Sequence, residues 1–268
     1  MRVPLNELLF ALSRALDFVE RELLGVTTNH GKRAAYISAR VCEQMGLCAV
    51  EVFDMACCAI LHDNALTAYM LEAGPGGIGR LEHFRNHCVK GEQNATAFPF
   101  AGDTAGIILH HHENWDGSGF HGLSGRDIPL RASVLRLADN MDLELRMGDG
   151  RAALLDEIRE HAAKLNGTVY APETVEALLQ TLDDDFVFRL ADENIDQTLR
   201  DRLPALEVNL SVEHLLRICD MFAFIIDAKS PFTRNHSRGM ADKVRRLARV
   251  YGINGERKDK MLIAAYLH

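Results

Sequence analysis

The sequence lacks the features that identify membrane proteins, secreted proteins and small zinc-binding proteins. No apolar run approaches the length that crosses a bilayer, and Met221–Ile226 is among the longest. The N-terminus has no basic leader followed by an apolar block and a cleavage site of small residues. The six cysteines form none of the C-x-x-C spacings of a structural zinc site, and a chain of 268 residues needs no disulfide staples. We therefore expect no membrane span and a location in the reducing cytoplasm.

Positive charge is also scarce. The chain has 30 basic and 38 acidic residues, which gives a formal net charge of −8. Nucleic-acid polymers bind to basic faces, so this balance argues against such a partner. A small anionic ligand remains compatible with the acidic chain, because one or two bound metal ions can reverse the sign of the local charge.

Helical periodicity is the feature that the sequence has in abundance. Leucine and valine recur at spacings of three and four residues from Leu5 to Leu23, which predicts a one-faced amphipathic helix. Further helices are predicted at 31–45, 50–62, 103–112, 129–146, 151–165, 172–182 and 211–227. Glycine-rich composition predicts loops at 74–79 and 116–127. Because strand signals are few and short, we predict an all-α helical bundle with functional loops between its helices.

The chain also begins to repeat itself. Three local matches share an offset of 206 residues: His30 with His236, Gly46 with Gly252, and His62 with His268. Three matches in register predict a duplication. We expect residues 1–190 to form one domain and residues 191–210 to form a linker. Residues 211–268 are expected to be the N-terminal part of a second, similar domain that the chain leaves incomplete.

The dipeptide His62-Asp63 closes the apolar helix predicted at 50–62. Burying a histidine and an aspartate is costly unless something pairs with them, and a divalent cation does so directly. Imidazole nitrogen and carboxylate oxygen together suit iron, manganese, zinc or nickel. Taken alone, however, the dipeptide is better explained as a hydrogen-bonded pair in the core.

A second histidine cluster, His110–Glu113, precedes the glycine-rich segment Asn114–Phe120. Adjacent side chains on a helix diverge by about 100°, so His111 and His112 can reach one site only where the helix ends and the backbone turns. The glycines supply that turn and let the backbone approach a ligand closely. A third element places Asp139 after an apolar helical turn, where the alternative role is a solvated or capping acid.

Taken in order, these elements resemble the HD-GYP family, whose members are bacterial HD-superfamily phosphodiesterases of cyclic di-GMP. The matching positions are His30, His62-Asp63, His87 with Gly91 four residues later, His111-His112-Glu113 with Asp116–Gly119, and Asp139. The segment Gly167–Glu173 is similar to the family's closing G-T-x-F-x-P motif. The resemblance covers roughly residues 5 to 185 and implies an HD-type helical bundle. The string HHENWDGSGF is its highly specific part.

The resemblance implies a centre of two divalent metal ions, with iron or manganese favoured over zinc, nickel or magnesium. One ion would be bound by His30, His62, Asp63 and Asp139, and the other by His87, His111 and His112, with Asp63 bridging both. A hydroxide between the ions would attack the phosphodiester, so no serine or cysteine nucleophile is required. Asp63 and Glu113 are the expected catalytic carboxylates, the second by orienting neighbouring histidines. The Gly91 spacing favours His87 over His83 as a ligand, and His110 is expected to point elsewhere.

The sequence departs from the family pattern at positions that handle substrate. The loop Gly119-Phe120-His121 replaces the Gly-Tyr-Pro that gives the family its name, and these residues are expected to contact substrate. Leu66 replaces a lysine that could protonate the leaving oxygen. The basic R-P-Y-x-K segment of the family is not recognisable at 143–151, where Arg146 and Arg151 are expected to replace its phosphate contacts.

All seven predicted ligand positions are filled, which favours an active phosphodiesterase on cyclic di-GMP or a related cyclic dinucleotide. Two alternatives remain: a metal-loaded, catalytically weak binding or regulatory domain, and a hydrolase of another small phosphate ester. Val26 stands where some family members carry a glutamate for a third metal, so no third metal is expected. The resemblance is also compatible with a homodimer and with signalling-protein partners.

Overall fold

Helices dominate the structure, as the periodicity of the sequence predicts. The computed structural model describes residues 1–24, 29–66, 68–69, 81–228, 230, 232–233 and 235–268. The α-helices within them are α1 (Leu5–Leu24), α2 (His30–Gln44), α3 (Ala49–Leu61), α4 (Leu81–Ala95), α5 (Leu130–Leu145), α6 (Leu154–Leu165), α7 (Pro172–Thr181), α8 (Asp184–Leu190), α9 (Ile195–Arg202), α10 (Val212–Asp227), α11 (His236–Val250) and α12 (Gly255–Tyr266). The strands β1 (Arg2–Pro4) and β2 (Glu207–Asn209) form one antiparallel pair. The predicted all-α class is confirmed, and none of the described helices combines the length and the apolar character that a membrane span requires.

The first half of the structure is the part that contains α1 to α9. Helix α2 lies at its centre and packs against α3, α5, α7 and α9. Residues 32–39 of α2 and residues 52–61 of α3 are all buried, which explains the apolar composition of α3. Gly31 lets the two helices approach closely, because a Cβ there would lie 3.3 Å from the backbone oxygen of Ile60. This contact holds the start of α2 against the end of α3, and it places the rings of His30 and His62 5.4 Å apart.

The helix predicted at 103–112 is wrong, because residues 105–112 form successive turns instead. Gly106 has a φ of +80°, which a right-handed helix excludes. The Glu92 carboxylate accepts hydrogen bonds from the backbone N–H groups of Gly106 and Leu109, at 2.6 and 3.0 Å. A side chain from α4 therefore replaces the backbone acceptors that a helix would provide. The loop predicted at 74–79 and the position of Val26 lie outside the described residues.

The bounds of two late helices repeat those of α2 and α3 at the offset of 206 residues. Helix α11 begins and ends 206 residues after α2, and α12 begins 206 residues after α3. Asn29 and Asn235 precede the matching helices with φ values of 68° and 60°, a left-handed conformation that non-glycine residues rarely adopt. Gly46 and Gly252 follow them with φ values of 80° and 67°. The agreement at these four positions supports the predicted duplication.

Residues 191–210, predicted as a linker, contain helix α9 and strand β2. Ile195, Leu199 and Leu203 are buried in the core of the first half, because α9 packs on α2. Strand β2 pairs with β1, and α10 packs against α1. This segment is therefore ordered structure that attaches the second half to the first.

Candidate metal centre

His30 stands at the first position of α2, where two carboxylates of α5 fix its ring. Its Nδ1 lies 2.7 Å from Oδ2 of Asp142, and its Nε2 lies 3.2 Å from Oδ1 of Asp139. Arg33 holds the Asp142 carboxylate in turn, through its Nε at 2.6 Å and its Nη2 at 3.0 Å. With Nδ1 engaged by a carboxylate, Nε2 is the nitrogen that remains for a metal.

His62 and Asp63 stand where α3 ends, as the sequence predicts. The Nδ1–H of His62 donates to the backbone oxygen of Ala59 at 2.7 Å. Its Nε2 then faces inward, 3.4 Å from Oδ2 of Asp63 and 3.5 Å from Oδ1 of Asp139. The end of the helix thus fixes both the tautomer and the direction of the ring.

His87 and His111 face Asp63 from the other side. Nδ1 of His111 lies 2.6 Å from the backbone oxygen of Ile108, three residues earlier, as in His62. The Nε2 atoms of His87 and His111 are 3.4 Å apart and lie 3.3 and 3.8 Å from Oδ1 of Asp63. The ring of His112 packs on that of His111 with centroids 4.0 Å apart. Because turns replace the predicted helix at 103–112, the neighbouring residues His111 and His112 can both face this site.

The structure brings all seven predicted ligands around one buried centre. Four of their atoms are buried and have no hydrogen-bond partner among the described residues: His30 Nε2, His62 Nε2, Asp63 Oδ1 and Asp139 Oδ2. Leaving such an atom unsatisfied costs about 1–3 kcal/mol. Ligand atoms within 4.8 Å of one another are offered by His30, His62 and Asp63, by His62, His111 and Asp139, and by His87, Cys88, His111 and His112. Divalent cations are the partners that this donor chemistry favours.

Burial and neighbouring charges act in opposite directions on the titratable groups of this centre. Burial lowers the pKa of His30 and His62, but nearby carboxylates, mainly Asp139 for the first and Asp63 for the second, outweigh it. The pKa of His62 is raised to about 9 and that of His30 well above its ordinary value. Burial lowers the pKa of His112 to about 4. Binding of a metal to these imidazoles therefore competes with their protonation.

Glu113 shapes the loop that follows the histidines. One of its carboxylate oxygens accepts from the backbone N–H of His121 at 2.6 Å, and the other accepts from that of Leu123 at 2.7 Å. The sequence led us to expect that this residue orients neighbouring histidines, whereas its contacts fold the loop back onto them. The fold-back places the ring of Phe120 4.8 Å from that of His112.

Gly119 permits the closest backbone approach in this loop. A Cβ there would lie 2.5 Å from Cα of Glu113 and 2.7 Å from the backbone nitrogen of Asn114, a clash that no side-chain rotation relieves. We expect Gly119→Ala to destabilise the protein by about 1–3 kcal/mol, as overpacking does. Thermal melting should show a Tm lower by about 2–10 °C. The exposed Ser118→Ala is the matched control, and equal melting temperatures for the two variants would contradict this prediction.

The two arginines expected to contact substrate phosphates have different surroundings. The Arg151 guanidinium is bound by the carboxylates of Glu157 and Asp149 and by the backbone oxygen of Leu145. These contacts close the end of α5, and a contact of Arg151 with substrate stays a prediction. Arg146 ends α5 with a φ of 49° and has an exposed side chain, and its contact with substrate stays a prediction.

Sequence reasoning missed several residues that surround the centre. Asp142 lies one helical turn after Asp139, and this spacing of three residues on α5 is the signal that could have identified it. Glu20 of α1 is buried, and its burial, together with the charge of Asp63, raises its pKa to about 7. Cys88 is buried beside the centre and can join its ligands. Nothing in the local sequence around the last two marks them.

Comparison with known proteins gives one family and several relatives. The model of the HD domain family matches residues 19–165. A 3'3'-cGAMP-specific phosphodiesterase 1 of Vibrio cholerae is 25% identical over 99% of this chain and 63% of its own length. A cyclic di-GMP phosphodiesterase of Thermotoga maritima is 30% identical over 65% of this chain and 50% of its own length.

Among solved structures, a cyclic GMP-AMP specific phosphodiesterase of Vibrio cholerae (V-cGAP3) matches with a TM-score of 0.75 at 23% identity. The match covers 100% of this chain and 70% of that one, and it supports the fold. The chain spans less than two thirds of the length of either curated relative.

Proposed function

The chain belongs to the HD-domain family, and we propose that it is a metal-dependent phosphodiesterase that hydrolyses cyclic di-GMP or a related cyclic dinucleotide. The curated relatives described above are named for action on 3'3'-cGAMP and on cyclic di-GMP. One observation carries the proposal: buried imidazole nitrogens and carboxylate oxygens without hydrogen-bond partners among the described residues converge on one centre. A set of five imidazoles and two carboxylates suits borderline divalent metals.

We propose that the centre holds two divalent ions, with iron or manganese favoured. One would be held by His30, His62, Asp63 and Asp139, and the other by Asp63, His87, His111 and His112. Such ions supply a nucleophile from water near neutral pH and offset the charge of the attacked phosphate. Asp142 and two backbone carbonyls fix the rings of three of these histidines, His30, His62 and His111. The loop that Glu113 folds back places the ring of Phe120 beside that of His112.

Arg136 is our candidate for a phosphate contact, because Arg151 is already engaged by two carboxylates. It lies three residues before Asp139 on α5, and its Nε donates to Oδ1 of Asn114 at 3.0 Å. Its charge is also one of the influences that lower the pKa of His112, after burial and His87. The guanidinium therefore contacts the site loop and is close enough to His112 to influence it, and we propose that a substrate phosphate meets it there.

Arg136→Ala is expected to raise the KM for cyclic di-GMP by about 10- to 100-fold, because a charge-assisted hydrogen bond contributes about 1.5–3 kcal/mol. Steady-state kinetics at saturating metal would measure the change. Arg151→Ala separates this assignment from the one made on sequence. If Arg151→Ala raises the KM more than Arg136→Ala does, the assignment of Arg136 fails.

The domain organisation and setting of the protein are also proposals. The repeated helices support a division into residues 1–190, a connection at 191–210 and the start of a similar domain at 211–268. We place the protein in the cytoplasm, where cyclic dinucleotides and reduced thiols occur together. A homodimer and signalling-protein partners remain predictions of the family resemblance.

The proposed activity is tested on the chain loaded anaerobically with Fe(II) or Mn(II) and mixed with cyclic di-GMP or 3'3'-cGAMP. Chromatography should show the linear dinucleotide or mononucleotides, and none after treatment with a chelator. Tight binding without turnover would favour the regulatory alternative, for which half-buried Leu66 at the position of the family's lysine is the supporting observation. Hydrolysis confined to a simple ester such as bis-p-nitrophenyl phosphate would overturn the assignment of substrate.

A further inference from the structure

A second group of metal-binding side chains lies next to the centre but shares none of its seven ligands. It consists of His110, Glu113 and His121, each of which offers a ligand atom within 4.8 Å of the others. The rings of His110 and His121 meet edge to face with centroids 5.3 Å apart. Glu113 is 1% exposed, so this group is covered from solvent on the carboxylate side.

Two nitrogens in this group are buried without a hydrogen-bond partner among the described residues, Nδ1 of His110 and Nε2 of His121. The other ring nitrogen of His121, Nδ1, lies 3.5 Å from the guanidinium of Arg85. Each Glu113 oxygen accepts one backbone N–H, and a carboxylate retains further lone pairs for a cation. The group therefore offers two unpartnered imidazole nitrogens and one carboxylate within reach of one another.

We propose that His110, Glu113 and His121 bind a further divalent cation, with zinc as the best fit. Two imidazoles and one glutamate form a ligand set that zinc adopts in proteins with one position left for water. Three atoms within 4.8 Å of one another lie at most about 2.8 Å from a common centre, and zinc–nitrogen bonds are about 2.1 Å long. Shifts of less than about 1 Å would close the site.

The ion would fix the site loop. His110 belongs to the segment that carries the histidine ligands, whereas His121 belongs to the loop that carries Phe120. A bond from each to one cation ties the loop to that segment and keeps the Phe120 ring beside His112. The site depends on His121, which stands where the Gly-Tyr-Pro pattern has a proline that could not bind metal. Its three ligands do not include residue 26, the position from which no third metal is expected.

Metal stoichiometry tests this proposal without an activity assay. The 268-residue chain would be stripped of metal with a chelator and dialysed against Zn²⁺. Elemental mass spectrometry would then measure the bound zinc per chain. We expect three equivalents per chain for the wild type and two for His121→Ala and for His110→Ala. His161→Ala, which changes a histidine bound to Tyr170 away from this group, is the matched control and should bind three.

The proposal is overturned if His121→Ala and His110→Ala bind as many equivalents as the wild type, whatever that number is. If the wild type instead binds a single equivalent that His121→Ala removes, this site stands and the proposed two-metal centre fails. Co²⁺ loading of the wild type gives a measurement that needs no variant. An equivalent with the visible absorption of a four-coordinate ion is expected for the added site, and its absence at full loading counts against it.

Discussion

Turnover of cyclic di-GMP should fall by about 1,000-fold or more in Asp63→Asn, because metal catalysis contributes several kcal/mol and each 1.4 kcal/mol is a factor of ten. The two oxygens of this carboxylate face different histidines, Oδ2 towards His62 and Oδ1 towards His87 and His111. An amide of the same size loses the negative charge and one acceptor. Both proposed ions would then lose a shared ligand.

Initial rates at fixed Mn(II), together with metal content after dialysis, measure this effect. Asp184→Asn is the control, since that aspartate is exposed in the first turn of α8, far from the histidine cluster in the chain. The expected pattern is loss of activity together with loss of bound metal in Asp63→Asn alone. If Asp63→Asn keeps wild-type activity, Asp63 is not a ligand of the centre and the proposed mechanism fails.

The second large effect is expected at Asp142, a positioning residue that acts through His30. Asp142→Asn should lower the free energy of unfolding by about 3 kcal/mol, the lower end of the range for a broken buried ion pair. Arg33 is fully buried and makes two hydrogen bonds to this carboxylate, but it keeps a second partner in Asp192 at 2.5 Å. That second contact is why the lower end applies.

The same substitution should weaken metal binding by about 10- to 100-fold, because a carboxylate behind a histidine ligand sets its tautomer and basicity. Urea unfolding of the chelated chain measures the first effect, and competition with a metal indicator measures the second. Asp192→Asn is the matched control, since its side chain is 41% exposed and its pair with Arg33 should contribute no more than about 1 kcal/mol. Equal metal affinity in Asp142→Asn and the wild type would show that Asp142 does not act on metal binding through His30.

The centre is built so that backbone and side chains both direct imidazole nitrogens inward. His62 and His111 each engage the carbonyl oxygen three residues earlier, and each stands where a helix or a run of turns ends. At such an end the last carbonyls lack helical partners, so they are available as acceptors. A histidine placed there is oriented without any further residue, whereas His30, at the start of α2, needs Asp142 for the same purpose.

Much of the fold and most of the centre could be predicted from the sequence alone. The pattern of apolar residues predicted α1, α2, α3, α5, α6, α7 and α10, because burial of an apolar face is a local property that the spacing of residues encodes. It did not predict α4, α8 or α9. The resemblance of His62-Asp63, His111-His112 and Asp139, in that order, to the HD-GYP pattern implied a shared metal centre, which the residues taken singly did not.

Tertiary contacts decided the rest. The sequence predicted a helix at 103–112. In the structure, Glu92 of another helix supplies the hydrogen-bond acceptors that bend these residues into turns. The ion pair between Arg151 and Glu157 is a contact that the sequence did not predict. The bond between His30 and Asp142 joins residues 112 positions apart, and no local pattern encodes it. Sequence spacing specifies which side chains a helix presents, but only the packed chain determines which of them meet, because those distances depend on all the intervening structure.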